Sequence, residues 1–83
     1  QIHWEQTARQ VHNLVRAVAP PYPGAFTDHE GKTMVVAKTS LNGPFPANLN
    51  LGVTGIQLVD NRVFGICGDR QALEILDWFP IKP

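Results

Sequence analysis

The sequence has little cysteine and no long hydrophobic run. Its 83 residues include a single cysteine, which excludes an internal disulfide and is typical of proteins in a reducing compartment. No apolar run approaches the ~20 residues that a membrane-spanning helix needs. No charged and then apolar leader marks the chain for export. We therefore expect a cytoplasmic protein with no membrane contact.

The sequence also lacks an excess of either charge, because seven basic and seven acidic residues cancel. A dedicated nucleic-acid binder needs a basic patch that releases counterions from phosphates. The balance argues against such a binder, although a weak or auxiliary contact stays open. The length predicts one small domain over residues 1–83. Since the chain starts at Gln1 rather than at Met, we interpret it as a fragment of a longer protein.

No complete catalytic constellation is visible in the sequence. The three histidines, His3, His12 and His29, have no compact metal-ligand spacing and no cysteine or carboxylate cluster beside them. Cys67 lies in an apolar segment, which favours buried packing over a nucleophile's role. We therefore assign no catalytic residue and no metal ligand.

An apolar stripe at helical spacing runs through the N-terminal part of the chain. It predicts an amphipathic helix from about Thr7 to Ala19. Pro20 and Pro21 are predicted to end the helix, because neither can donate a backbone hydrogen bond. Trp4 is expected to pack on the helix start as a staple-like contact.

Five short segments with strand character follow the helix and are separated by turn residues. They begin at residue 25 and then cover 32–39, 52–59, 62–67 and 72–78. Turns are predicted at 28–31, 60–61 and 68–71, and a long loop at 40–51. The pattern predicts a mainly β domain with one N-terminal helix, in the form of a small OB-like open β-barrel. A flat sheet with one helix packed on it is the alternative.

Several motifs are shared with a known family. They are Ile2-x-Trp4, Ala8, the run VHNLVRAV at 11–18 and the run PYPGAFT at 21–27. Together they resemble the C-terminal domain of the formyltransferase family, which includes methionyl-tRNA formyltransferase, 10-formyltetrahydrofolate dehydrogenase and the sugar-nucleotide N-formyltransferases. The sequence is most similar to the UDP-4-amino-4-deoxy-arabinose formyltransferase type. The likeness resumes at 52–53, 66–69 and 72–75.

Three departures from the family pattern bear on the substrate. His3 stands where the family usually has an acidic residue, and Leu51 stands where it usually has proline. The segment 77–80 lacks the Gln and Gly-Lys residues that are common in tRNA-modifying members. Together with the neutral charge, the last departure favours a sugar nucleotide over tRNA as the substrate.

The resemblance implies a non-catalytic domain that follows a Rossmann-like N-terminal catalytic domain. In the family, the catalytic domain binds 10-formyltetrahydrofolate and carries an Asn-His-Asp set, and none of those positions lies in this chain. The resemblance thus implies a parent transferase that moves a one-carbon formyl group to an amine, and a domain here that binds no cofactor itself. This domain would help to position the amine substrate or brace the catalytic domain.

Five residues are candidates for contact with the substrate or with the missing domain: Trp4, Asn13, Arg16, Pro23 and Gly24. Asn13 and Arg16 share the polar face of the helix, for which a solvated surface is the alternative interpretation. Pro23 and Gly24 either form a structural turn, where close backbone approach requires glycine, or line a cleft between domains.

Two other functions stay open. The first is an OB-like binding module for nucleic acid or protein with no enzymatic role. Its aromatic residues could stack bases and its basic residues could form an anion-binding rim, although core packing and a solvent-facing position fit them better. The residues concerned are Trp4, Phe26, Phe64 and Trp78, and Lys32, Lys38, Arg62 and Arg70. The second is a spacer in an acyl-activating or hydrogenase-maturation enzyme.

Overall fold

A computed structural model describes residues 1–19 and 22–81. These residues form one helix and five strands: α1 (Ala8–Ala17), β1 (Ala25–His29), β2 (Lys32–Ser40), β3 (Gly55–Val59), β4 (Arg62–Ile66) and β5 (Ala72–Pro80). All strand pairs are antiparallel, in the order β1-β2-β5-β4-β3. The sheet curls into an open half-barrel, so the prediction of a mainly β open barrel with one helix is confirmed. Pro20 and Pro21, predicted to end the helix, lie outside the described residues.

The helix begins where the sequence predicts and ends two residues early. Thr7 Oγ1 accepts a hydrogen bond from the Gln10 N–H at 3.1 Å, and Gln10 Oε1 accepts one from the Thr7 N–H at 2.9 Å. This reciprocal capping box satisfies two backbone donors that the first turn would otherwise leave unpaired. The helix ends at Ala17, and the N–H of Val18 closes the last turn on the Leu14 carbonyl.

The apolar stripe of α1 packs on one face of the sheet, which we call the helix-side face. Val11 and Val15 are completely buried there, and Leu14 and Val18 are partly buried. The helix-side core consists of Ile2, Ala8, Val11, Val15, Ala25, Met34, Val36, Cys67, Leu73 and Ile75. Cys67 is buried as predicted, and desolvation, helped by the negative charge of Asp69, raises the pKa of its thiol to about 12.

A second set of buried residues lies on the other side of the sheet, which we call the opposite face. Strand alternation places Val35, Phe64, Ile66 and Ala72 there, outside the helix-side core. The loop at 41–54 covers part of this face: the Phe45 ring meets the Phe64 ring edge-on, with centroids 5.9 Å apart. The Gln57 side chain holds the loop by donating to the Asn50 carbonyl at 2.6 Å.

The hairpin turns differ in detail from the predicted ones. The predicted loop at 28–31 is a two-residue turn at Glu30 and Gly31, both with positive φ, so β1 extends to His29 and is longer than expected. The turn at Asp60 and Asn61 is confirmed, with φ of 52° and 61°. Positive φ at both central residues matches the right-handed twist of the flanking strands. Strand β3 begins only at Gly55.

Strand β2 is bulged in its second half. Its register with β5 shifts between Val36 and Lys38 and again between Lys38 and Thr39. A bulge bends a strand and increases its local twist, which contributes to the curl of the sheet.

Across residues 1–19 and 22–81, no helix is long and apolar enough to cross a membrane.

Candidate functional site: a cationic cleft between the helix and the second strand

A cleft of about 370 Å³ opens between α1 and the bulged half of β2. Its polar lining comes from His12, Arg16, Lys38 and Thr39, and its apolar lining from Val15, Ala19 and Ala37. Among the described residues that line it, none is a carboxylate. We call this feature the cationic cleft.

The histidine in the cationic cleft is held in place by the sheet. His12 Nδ1 and Thr39 Oγ1 share a hydrogen bond of 2.6 Å. Burial, followed by the positive charges of Arg16 and Arg9, lowers the pKa of His12. The imidazole is therefore neutral at pH 7, and its Nε2 is the nitrogen available to a ligand. The positive charges of Arg16 and Arg9 are the smaller causes of this shift, after burial.

Lys38 supplies the second cation from the strand. Asp77 is its register partner on β5, but the ion pairs among the described residues do not join the two side chains. Lys38 is exposed at the edge of the cleft. Arg16 and Lys38 therefore approach the same space from two different elements, which suits an anionic group placed between them.

Local sequence explains one half of the cleft better than the other. His12 and Arg16 are four residues apart on α1 and so share a face. Lys38 and Thr39 reach the cleft through the β2 bulge, where the register with β5 shifts twice. His12, Lys38 and Thr39 are absent from the predicted contact residues. The helical spacing of His12 and Arg16 is a signal that could have found one of them, whereas nothing in the sequence marks the bulge.

Of the five predicted contact residues, Arg16 alone lines the cationic cleft. Asn13 is exposed on α1 outside the cleft lining. Trp4 is held by the sheet: its Nε1–H donates to Thr27 Oγ1 at 2.9 Å, and its ring lies against Gly65 of β4. The structure therefore places Trp4 apart from the cleft, and of the two helix residues only Arg16 lines it.

Pro23 and Gly24 lie in the turn before β1. Pro23 is exposed. Gly24 has φ of 92°, and a Cβ there would come within 2.7 Å of Val35 Cγ1. Both the positive φ and the close approach require glycine, which supports the structural interpretation of this turn.

The basic residues considered as an anion-binding rim do not gather in one place. Arg62 is paired with Glu74 through two hydrogen bonds of 2.9 and 2.8 Å, and its guanidinium lies 5.0 Å from the centroid of the Phe64 ring. Lys38 lines the cationic cleft, and Lys32 lies at the other end of β2.

Over the two described ranges, no group of three His, Cys, Asp or Glu side chains is arranged to hold a metal ion.

The fold defines a class of domain, a curled antiparallel half-barrel with one docked N-terminal helix. A sequence model of the family described as formyl transferase, C-terminal domain, matches residues 1–79. The match extends from the segment before α1 into the last strand. The chain belongs to this family of C-terminal formyl transferase domains.

Proposed function

We propose that the chain is the accessory C-terminal domain, over residues 1–83, of a longer cytoplasmic formyltransferase that uses 10-formyltetrahydrofolate. The family match over residues 1–79 carries this proposal. The folate and the catalytic side chains belong to a Rossmann-like domain on the N-terminal side. The role of the present chain is to position the amine-bearing substrate.

The reaction explains why positioning matters. In formyl transfer to an amine, a base removes a proton from the attacking nitrogen and a fixed donor stabilises the tetrahedral oxyanion. Both groups act only when the amine is held close to the formyl carbon. A domain that binds a remote part of the substrate contributes to that alignment without touching the reacting atoms.

The cationic cleft is the part of this chain that suits such a remote contact. Arg16 and Lys38 can pair with phosphate oxygens from opposite sides, and neutral His12 adds one ring nitrogen. The volume of about 370 Å³ falls within the roughly 300–1,000 Å³ of small-molecule sites. These features favour the diphosphate of a sugar nucleotide over tRNA, which would need a longer basic surface.

The test uses the whole protein and the double variant Arg16→Ala/Lys38→Ala. We expect the KM for the sugar nucleotide to rise by at least about tenfold, a loss of about 1.4 kcal/mol, while kcat and the KM for the folate change little. Such a split identifies a lost binding contact away from the reacting atoms. Lys32→Ala, which removes an exposed lysine of the same strand, is the matched control.

An unchanged KM for the sugar nucleotide in the double variant would contradict the role of the cleft. Activity on tRNA with a steep dependence on salt would contradict the choice of substrate. Full activity of a protein that lacks residues 1–83 altogether would contradict the accessory role itself.

A further inference from the structure

Part of the opposite face carries exposed hydrophobic side chains in one row. Phe26 of β1 pairs in register with Val35 of β2, and Val35 pairs with Phe79 of β5. The two phenylalanines are 37% and 47% exposed, and Val35 between them is 6% exposed. We call these three residues the apolar row.

The apolar row has the layout of a small interface. Beyond it on one side lies the register pair Asp28 and Thr33, joined by a hydrogen bond of 2.5 Å from the Thr33 hydroxyl. On the other side, two residues before Phe79 on β5, lies the exposed Asp77. Aromatic side chains with a polar rim are typical of surfaces that bind another protein surface.

The path of the chain indicates what covers the apolar row. The Ile2 N–H donates to the Phe26 carbonyl at 2.7 Å, so the segment before α1 begins at the open edge of β1. Ile2 itself is buried in the helix-side core, which fixes this path. Any chain that precedes Gln1 therefore joins this domain next to Phe26.

We propose that the apolar row is the surface on which the preceding catalytic domain docks. This inference rests on the proposed function, which places that domain immediately before Gln1. Docking there would fix the orientation of the two domains, and with it the distance from the cationic cleft to the catalytic groups. A second copy of this chain is the competing occupant that the experiment must separate.

The experiment measures thiol labelling in the whole protein with a single cysteine introduced at Phe79→Cys. A covered apolar row predicts labelling by a maleimide at least about tenfold more slowly than in the matched variant Leu58→Cys. Leu58 is 63% exposed on β3, at the far edge of the sheet. Phe26→Cys serves as the second variant on the row and should show the same protection.

Equal labelling rates at all three positions would overturn the proposal. Protection that disappears on dilution would overturn it as well, because it would identify a second copy as the occupant. The outcome is separable from the proposed function, since the KM effect of Arg16→Ala/Lys38→Ala is measured independently. Loss of protection with that KM effect intact would reject only the docking surface.

Discussion

The opposite face of the sheet has one half that the loop covers and one half that is exposed, and a phenylalanine lies in each. Phe64 on β4 is 0% exposed because Phe45 from the loop and the Arg62 guanidinium cover it. Phe79 on β5 is 47% exposed, whereas the aromatic contact made by the loop is with Phe64 on β4. The same residue type therefore contributes to the core in one half and remains at the surface in the other. The loop at 41–54 makes the difference.

The largest expected effect is a difference in stability between a substitution in the loop-covered half of the opposite face and one in its exposed half. Phe64→Ala should lower the free energy of unfolding by about 3–5 kcal/mol, because it removes a buried ring and leaves a cavity. Phe79→Ala should lower it by less than about 1 kcal/mol, because the ring is half exposed already. Denaturant unfolding of both variants measures the difference. Similar losses at the two positions would refute the contrast.

A second prediction concerns close packing on the helix-side face. Gly65→Ala should cost roughly 1–3 kcal/mol, because its Cβ would lie 2.3 Å from Cζ3 of the Trp4 ring. Gly52→Ala is the control, since its nearest neighbour is Asn50 Oδ1 at 3.4 Å. Thermal unfolding gives the two stabilities, and tryptophan fluorescence reports the displaced ring. Equal melting temperatures would contradict the packing of Trp4 on β4.

The smallest expected effect is a change in the pH dependence of folding stability, caused by an ion pair in the half of the opposite face that the loop covers. The hydrogen bonds from Arg62 lower the pKa of Glu74 below its usual value near 4.5. The resulting stabilisation is present above the unfolded-state pKa and is lost as the pH falls through the folded-state pKa. Arg62→Gln should therefore reduce stability at neutral pH and flatten its decline in acid. Lys32→Gln should leave the dependence of stability on pH unchanged. If the stability of Arg62→Gln fell in acid as steeply as that of the unmodified protein, the result would contradict the pairing of Arg62 with Glu74.

The sequence could predict elements whose periodicity is set by one buried face. The stripe through Val11 and Val15 predicted the docked helix, and the turn residues Asp60 and Asn61 predicted a hairpin. The resemblance at residues 2–27 predicted the family. Each of these signals is local or follows a regular period.

What the sequence could not predict depends on contacts between distant segments. Period-2 alternation places Phe64 and Phe79 on a face, but it does not tell which of them the loop will cover. The bulge that brings Lys38 and Thr39 to the cleft depends on the pairing of β2 with β5. Trp4 was expected on the helix start, and its hydrogen bond to Thr27, 23 residues along the chain, was not foreseen. Only the assembled sheet determines these contacts.

The cationic cleft can be tested most directly by NMR titration of the His12 imidazole, with and without uridine diphosphate. Burial, Arg16 and Arg9 lower the pKa of His12 in the free protein, and Lys38 and Thr39 line the same cleft from β2. Bound phosphate would offset the cations, so the pKa of His12 should rise while the imidazole resonances of His3 and His29, outside the cleft, stay in place. A His12 titration curve that uridine diphosphate leaves unchanged would contradict the cleft as the substrate contact.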